Sequence, residues 1–215
     1  MKEIVVATRN RHKKREIRAI FGVSKKWRLL FLDRYPGAPH PQETGKTFDE
    51  NALLKARAIA LHTGLPSVAD DSGLEVVSLG GKPGVRSARF AGLRASDTEN
   101  NQKLLRLLKH FPLSKRKARY RCSVALVFPD GKTDLFRGSL SGLIGFVPKG
   151  RNGFGYDPLF VLPRYGKTVA QISPSLKNRI SHRARAFQKL KRFLSYSKRR
   201  SKRMSLVSRK RLFIR

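Results

Sequence analysis

Along the first 194 residues, short apolar runs typical of strands alternate with amphipathic stretches typical of helices, and this alternation restricts the fold more than any other feature. Residues 3–8 read EIVVAT, a β-branched apolar run that predicts a buried strand. Residues 13–22 follow with KKREIRAIFG, which has apolar residues at helical spacing before a terminal glycine. A second strand is predicted over 27–33. Interleaved strands and helices of this kind are typical of the α/β class.

The later segments continue the alternation. The clearest helix is predicted over 47–64, with Gly64 at its end, and short strands are predicted at 67–70 and 74–81. The remaining predicted elements are a helix capped by Ser96 or Asp97, a β-hairpin over 118–145 with a Pro-Asp-Gly turn, and a final helix from about Ser181. We therefore predict one α/β domain in which helices pack on a mixed sheet and ligand loops follow the strands.

The charge balance is strongly basic. The chain of 215 residues has 48 Lys and Arg against 14 Asp and Glu, a formal net charge of +34. Residues 195–215 contain nine of the basic residues and no acid, so residues 1–194 retain a net charge of +25. We predict a domain over 1–194 and a poorly ordered basic tail over 195–215, with weak contact between the tail and RNA or DNA phosphates as the functional alternative.

Neither a membrane span nor a secretory signal is predicted. No apolar run approaches the length of about 20 residues that a spanning helix needs, and the start MKEIVVATRN turns polar too early for a signal peptide. A cytoplasmic protein without a membrane partner is therefore expected. The single cysteine, Cys122, excludes an intramolecular disulfide and a cysteine metal cluster, and the apolar residues around it predict a small buried strand residue.

Two adjacent carboxylates stand out because acids are scarce. Asp70 and Asp71 follow the apolar residues SVA in the stretch SVADDSGLEV, and Ser72-Gly73 is expected to turn the chain beside them at the end of a strand. Their mutual repulsion and desolvation require a cation or hydrogen-bond donors. Mg²⁺ prefers one or two carboxylates together with waters and substrate phosphates, so a magnesium site is predicted. The alternative is an acid pair that caps a turn.

Cationic and amide side chains suitable for phosphate lie near predicted helix starts. In ATRNRHK, the groups of Thr8, Asn10 and Lys13 are suited to a phosphate cradle, although Thr or Asn before a helix is also a common cap. Lys55 lies on the helix predicted over 47–64, where the alternative is a solvated surface lysine.

Two later motifs are suited to a flat ligand with a carbonyl group. Glycines flank Phe154 in GFGYDPLF, so the backbone can approach a ligand closely and the ring can stack on it. In SLKNRISHRARA, Lys177, His182 and Arg183 supply donors for a carbonyl oxygen or a phosphate. The alternative for His182 and Arg183 is a helix cap followed by surface charge.

Six motifs in order give a family resemblance. They are ATRNRHK, ETGKTFDENALLKA, ADDSGLEV, GGKPGVRSARFAG, GFGYDPLF and KNRISHRARA. Together they resemble the inosine triphosphate pyrophosphatases, the RdgB-like non-standard purine NTP pyrophosphatases. The resemblance implies a long central mixed β-sheet with helices in two lobes around an active-site cleft, and a homodimer. It also implies Mg²⁺-dependent hydrolysis of ITP, dITP or XTP to the monophosphate and pyrophosphate.

The same resemblance implies residue roles. At the phosphate end, Glu43 and Asp71 are the expected metal ligands, Asp71 is also the expected base, with Asp70 as the alternative, and Ser72 lies beside the substrate. The expected phosphate contacts are Thr8, Asn10, Lys13 and Lys55. The expected base pocket contains Phe154, Gly155, Tyr156 and Asp157, with Lys177, His182 and Arg183 reading the 6-oxo group of the purine.

Some positions depart from the family pattern. Arg9 stands where relatives often have glycine, Gln42 stands close to Glu43 where many have an acid, and Gln171 and Ser175-Leu176 stand where glutamates are common. None of these departures falls on an expected metal ligand. Two alternatives stay open: a basic nucleic-acid-binding protein without catalysis, and a pyrophosphatase for modified pyrimidine nucleotides.

Overall fold

A seven-stranded mixed sheet organises the computed structural model, which describes residues 1–210, with side chains for residues 1–196. The strands are β1 (Lys2–Val6), β2 (Trp27–Phe31), β3 (Ser67–Val76), β4 (Lys117–Val127), β5 (Thr133–Ile144), β6 (Phe160–Leu162) and β7 (Lys167–Thr168). Their order in the sheet is β2-β1-β3-β4-β5-β6-β7. Strand β1 is parallel to β2 and β3, and the later pairs are antiparallel. This arrangement confirms the predicted α/β class and mixed sheet.

Five α-helices accompany the sheet in the described part of the chain. They are α1 (Arg11–Phe21), α2 (Phe48–Thr63), α3 (Asp97–Leu107), α4 (Pro174–Ile180) and α5 (His182–Lys210). Thr47 caps α2 and Gly64 ends it in a left-handed conformation, which confirms the helix predicted from the sequence. Ser96 caps α3 in a reciprocal pair with Glu99, and Asp97 begins that helix. Helix α4 is not predicted by the sequence pattern because it has only seven residues.

Helix α5 continues into the segment predicted as a tail. Its backbone extends to Lys210, but the side chains after residue 196 and the whole of residues 211–215 lie outside the described structure. A separate, poorly ordered tail over 195–215 therefore stays a prediction. None of the described helices has a stretch long and apolar enough to cross a membrane.

Helices cover the two faces of the central strands. Ile4 and Val6 pack with α1 and α5 on one face, whereas Val5 packs with α2 on the other, because successive strand residues point to opposite faces. Alanines on α2, such as Ala52 and Ala56, are completely buried and let that helix approach the sheet closely. A third apolar cluster joins α3 to β3, β4, β5 and β6.

The turn expected at Ser72-Gly73 is wrong. Strand β3 continues without interruption from Ser67 to Val76 and pairs with β4 along its whole length, so Asp70 and Asp71 lie in the middle of a strand. Gly73 serves close packing instead, because a Cβ atom there would overlap Ser87 Oγ and the carbonyl oxygen of Gly84. The glycine therefore lets the 3-10 segment Gly84–Arg89 lie directly against the strand.

We expect Gly73→Ala to lower the free energy of unfolding by about 1–3 kcal/mol, because the added methyl group has no space. Gly37→Ala is the matched control, since nothing lies within 4 Å of a Cβ there, and it should change stability by less than about 0.5 kcal/mol. Urea unfolding of both variants measures the difference. Equal stability of the two variants would contradict the close packing at Gly73.

Candidate active site

One cleft collects the residues singled out in the sequence. It has a volume of about 780 Å³ and is bordered by the loop after β1, by helix α2, by strand β3 and by the start of α5. The predicted residues that line it are Thr8, Asn10, Lys13, Glu43, Lys55, Asp71, Ser72, Phe154, Gly155, Tyr156, Asp157, Lys177, His182 and Arg183. Asp70 is not among the lining residues.

The adjacent acids of β3 have different surroundings because they point to opposite faces of the sheet. Asp71 lines the cleft and accepts a hydrogen bond from Lys55 Nζ at 2.9 Å. Asp70 lies 2% exposed beneath the cleft, 3.1 Å from both Lys13 Nζ and Arg183 Nη2. The sequence pattern treats the two acids as one pair, whereas the fold separates them into a cleft group and a buried group.

At the acidic end of the cleft, two carboxylates converge on one ammonium group. Lys55 Nζ donates to Glu43 Oε1 at 2.6 Å and to Asp71 Oδ1 at 2.9 Å. Arg89, which the sequence does not single out, approaches Glu43 Oε2 at 3.4 Å. The buried Asn51 donates to Asp71 Oδ2 at 3.4 Å and accepts from the Gly45 N–H at 2.8 Å. It therefore holds Asp71 close to the ETG loop, residues 43–45.

The two carboxylates differ in acidity. Burial raises the pKa of Asp71 above its usual value, and the neighbouring Glu43 adds to this effect against the opposing charges of Lys55 and Lys13. Burial also acts to raise the pKa of Glu43, but Lys55 together with Lys13 and Arg89 outweighs it and the pKa is lowered. Burial acts to lower the pKa of Lys55, and Asp71 and Glu43 reverse this effect. Asp71 is therefore the better proton acceptor of the two acids.

The donor set at this end fits a divalent cation of the magnesium type. Glu43 and Asp71 already direct one oxygen each at a single cation, the Lys55 ammonium. Within the described residues, no group of three or more His, Cys, Asp or Glu side chains is arranged to hold a metal. Two carboxylates are nevertheless sufficient for Mg²⁺, which takes its other ligands from water and substrate phosphates.

Arg183 is the centre of the buried group. Its side chain is 1% exposed, and its Nε and Nη2 atoms each donate to Asp70 Oδ2 at 3.1 Å. Nη1 donates to Glu16 Oε2 at 2.5 Å and Nη2 donates to Ser72 Oγ at 2.8 Å. Four of the five guanidinium N–H groups thus have partners within the protein, and one on Nη1 has none among the described residues.

Glu16 joins Arg183 to Lys177, and sequence reasoning missed it. Its Oε1 lies 2.6 Å from Lys177 Nζ, which also lies 2.5 Å from Asp157 Oδ2. The signal that could have identified it is the rarity of acids: Glu16 precedes the completely buried Ile17 in α1 and is itself only 9% exposed. An acid on the apolar side of a helix requires buried cations as partners.

Burial and charge act in opposite directions on this group. Burial acts to raise the pKa of Glu16, but Arg183 and Lys177 outweigh it and lower the pKa. Burial also acts to raise the pKa of Asp70, but the charges of Lys13 and Arg183 outweigh it and the pKa is lowered. For Asp157 burial prevails over Lys177, and its pKa is raised.

His182 is a neutral group beside these cations. Burial, followed by the charges of Arg183 and Lys177, lowers its pKa well below the usual value. The imidazole stacks on Tyr120 with ring centroids 4.6 Å apart. A neutral imidazole has one N–H donor and one acceptor nitrogen, so His182 can offer a single hydrogen bond to a ligand from the ring position that carries the proton.

An aromatic ring covers the cationic end of the cleft. Lys177 Nζ lies 4.7 Å and Arg183 Cζ lies 5.6 Å from the centroid of Phe154. The ring of His12 stacks on the ring of Phe154, with ring centroids 5.1 Å apart. The loop is held by the Phe154 N–H, which donates to Asp157 Oδ2 at 2.9 Å.

Neighbouring loop residues have mainly structural contacts. The Gly155 N–H donates to Asp97 Oδ2 at 2.6 Å, and the Tyr156 hydroxyl donates to the Ser87 carbonyl oxygen at 2.8 Å. These bonds fix the backbone beside Phe154. Gly155 and Tyr156 therefore line the cleft as part of its wall.

In the loop after β1, Asn10 caps the N-terminal end of helix α1. Its Oδ1 accepts hydrogen bonds from the backbone N–H groups of His12 at 2.9 Å and Lys13 at 3.0 Å. The Thr8 hydroxyl oxygen accepts a weaker bond from the Asn10 N–H at 3.3 Å. The capping role that the sequence left open thus applies to Asn10, which also lines the cleft together with Lys13.

We expect Glu16→Gln to lower the free energy of unfolding at pH 7 by about 3 kcal/mol, because it removes one partner of a buried ionic group. The lowered pKa values of Glu16 and Asp70 mean that unfolding takes up protons, so stability is present above about pH 5 and decreases as the pH falls. The variant should therefore have a shallower decrease between about pH 5 and 3.

Urea titrations at several pH values measure this difference, and the raised pKa of Asp71, to which Glu16 does not contribute, cancels between the two proteins. Glu3→Gln removes a surface pair with Arg28 and should cost less than about 1 kcal/mol. An unchanged pH dependence in Glu16→Gln would show that Glu16 is not a charged partner of Arg183.

Comparison with known proteins identifies the family. The sequence matches the Ham1 family over residues 4–193. It is 50% identical over 196 residues to the dITP/XTP pyrophosphatase of Geobacter sulfurreducens, covering 91% of this chain and 98% of that protein. It is 49% identical over 193 residues to the dITP/XTP pyrophosphatase of Geobacillus kaustophilus, covering 88% and 93%.

Solved structures agree with this result. The Ham1 protein of Staphylococcus aureus superposes with a TM-score of 0.82 at 41% identity, covering 91% of this chain and 100% of that one. A HAM1 protein from Coxiella burnetii superposes with a TM-score of 0.83 at 40% identity, covering 91% and 99%. These matches confirm the resemblance inferred from the six motifs, and the chain belongs to the Ham1 family.

Proposed function

We propose that this chain hydrolyses non-standard purine nucleoside triphosphates, namely ITP, dITP and XTP, to the monophosphate and pyrophosphate. The observation that carries the proposal is a single cleft with two converging carboxylates at one end and an aromatic ring over buried donors at the other. The relatives that are 50% and 49% identical to this chain carry the name dITP/XTP pyrophosphatase.

At the phosphate end, Glu43 and Asp71 would hold Mg²⁺. The ion would neutralise triphosphate oxygens and polarise the bond to the leaving pyrophosphate. Lys13 and Lys55 offset the remaining negative charge, while the Thr8 hydroxyl and the Asn10 amide donate to phosphate oxygens. Lys55 then exchanges its carboxylate partners for phosphate, which is supported by its position between Glu43 and Asp71.

Asp71 is the residue that we propose as the base. It accepts a proton from a water molecule as the water oxygen bonds to the α-phosphorus and the bond to the pyrophosphate oxygen breaks. The raised pKa of Asp71 and its place on the cleft wall support this assignment. Asp70 is the weaker alternative, because it is buried beneath the cleft and paired with Lys13 and Arg183.

At the base end, Phe154 stacks on the purine while buried donors read its 6-oxo oxygen. Lys177 has two carboxylate partners for its three donor protons, so one is left for a ligand. His182 contributes its single N–H, and Arg183 contributes the last guanidinium N–H. A 6-amino group in place of the oxygen would leave these buried donors unpaired, and ATP is therefore rejected.

Assembly and location form a further part of the proposal. A cytoplasmic homodimer is supported by the family resemblance, and the adjacent Phe146 and Val147 side chains are 54% and 55% exposed. Equilibrium sedimentation that gave only a monomer of 24.4 kDa at micromolar concentration would contradict the dimer.

A pyrophosphate-release assay tests the proposed reaction. The full chain is incubated with ITP, XTP, dTTP, ATP and GTP, each with and without Mg²⁺. We expect Mg²⁺-dependent release with ITP and XTP and much slower release with ATP and dTTP. Release from GTP should also be slow, because its 2-amino group meets the pocket wall although it carries the 6-oxo group. Preference for dTTP would favour a pyrophosphatase for modified pyrimidine nucleotides. A lack of pyrophosphate release from every nucleotide would favour a basic nucleic-acid-binding protein without catalysis.

We expect Asp71→Asn to reduce turnover of ITP by at least about a hundredfold, because it removes both a metal-binding oxygen and the proton acceptor. The amide is nearly isosteric with the acid, so the fold should persist. Asp33→Asn is the control, since Asp33 is an exposed acid that pairs with Lys14 and does not line the cleft. Near-normal turnover of Asp71→Asn at saturating Mg²⁺ would contradict the assignment.

We expect His182→Phe to reduce the preference for ITP over ATP by about three- to tenfold, because one neutral hydrogen bond contributes about 0.5–1.5 kcal/mol. The new ring can keep the stacking on Tyr120. The ratio of kcat/KM for the two nucleotides measures the effect, with the exposed His110→Phe as control. An equal loss for ITP and ATP would assign His182 a structural role only.

A further inference from the structure

A second groove of the molecule is strongly basic. It has a volume of about 520 Å³ and lies where β4, β5 and α5 meet, and none of its lining residues borders the active-site cleft. The cationic residues that line it are Arg121, Arg137, Arg185, Lys189 and Arg192. Gly138, Ser139 and Gln188 complete the lining.

The positions of these charges follow from the packing of α5 on β5. Arg185, Lys189 and Arg192 share one face of the helix because they are spaced by four and three residues. Arg185 Nη1 donates to the Ser139 carbonyl oxygen at 2.6 Å, and Lys189 Nζ donates to the Arg137 carbonyl oxygen at 2.8 Å. Gly138 allows this approach, since a Cβ there would overlap the carbonyl oxygen of His182. The groove is therefore a built feature of the domain.

Few acids balance these cations. Asp49 pairs with Arg137, and Glu75 lies 3.9 Å from Arg121. Within the described side chains, no carboxylate forms an ion pair with the three groove cations on α5, which are Arg185, Lys189 and Arg192. In the active site, by contrast, Lys13, Lys55, Lys177 and Arg183 all pair with acids. A nucleotide bound in the cleft therefore does not neutralise the positive charge of this groove.

We propose that this groove binds the phosphate backbone of single-stranded nucleic acid. Guanidinium groups match phosphate oxygens in geometry, and closely spaced cations on one wall match the repeated charges of a strand. Tyr196 lies on the same helix four residues after Arg192 and is 62% exposed, so it supplies a ring on which a base can stack. The proposal is independent of the nucleotide hydrolysis in the cleft.

The test compares two full-length variants that lose the same charge. Arg185→Gln, Lys189→Gln and Arg192→Gln are combined, because glutamine removes the charge and keeps a polar side chain. The control combines Lys109→Gln, Arg164→Gln and Lys167→Gln, three exposed positions outside both cavities. Binding of a fluorescent oligouridylate of about 20 nucleotides is followed by anisotropy from about 50 to 300 mM KCl.

We expect the groove variant to lose at least about tenfold in affinity at low salt and its salt dependence to flatten by about two in the slope of log K against log salt. ITP hydrolysis should be unchanged, which shows that the variant is folded. The control should lose much less. Equal losses of affinity in both variants would show that binding depends on net charge alone, and this would overturn the proposal.

The ligand class is tested with the same protein. An oligodeoxyuridylate of equal length should bind similarly, because the backbone is the ligand. Tighter binding of a duplex than of the single strand would overturn the proposal, as would displacement of the oligonucleotide by inorganic pyrophosphate at an equal concentration of phosphate groups.

Discussion

The contact between the Arg183 guanidinium and the carboxylates of Asp70 and Glu16 connects the separate parts of the active site. Asp70 belongs to β3, Glu16 to α1, and Arg183 to the first turn of α5. All three side chains are buried, so each charge requires the others. One ionic group thereby fixes helices α1 and α5, which border the cleft, to strand β3 of the central sheet.

Strand alternation gives the two adjacent acids separate tasks. Asp70 compensates Lys13 and Arg183 under the cleft, and Asp71 faces the cleft with Glu43 and Lys55. An acid whose pKa is lowered by cations remains charged and structural, whereas one whose pKa is raised by burial can accept a proton. On α1, Glu16 pairs with Arg183 and Lys177, and Asn10 caps the N-terminal end of the helix.

The sequence predicted what depends on local pattern. The apolar periodicity of α2, its end at Gly64 and the β4–β5 hairpin were all accessible, and the six motifs identified the cleft residues. Glu16 and the unbroken β3 were not accessible, because their reasons lie far away in the chain: Arg183 is 167 residues from Glu16, and Gly73 is glycine because of Ser87. The partners of Lys55 likewise depend on how the ETG loop folds back onto α2.

The central claim is that the cleft directs water to the α-phosphorus of a 6-oxopurine triphosphate. Hydrolysis of ITP in oxygen-18 water, followed by mass spectrometry of both products, tests it most directly. The account predicts one labelled oxygen in inosine monophosphate and none in the released pyrophosphate. Label in pyrophosphate, or release of inosine diphosphate with labelled inorganic phosphate, would contradict it.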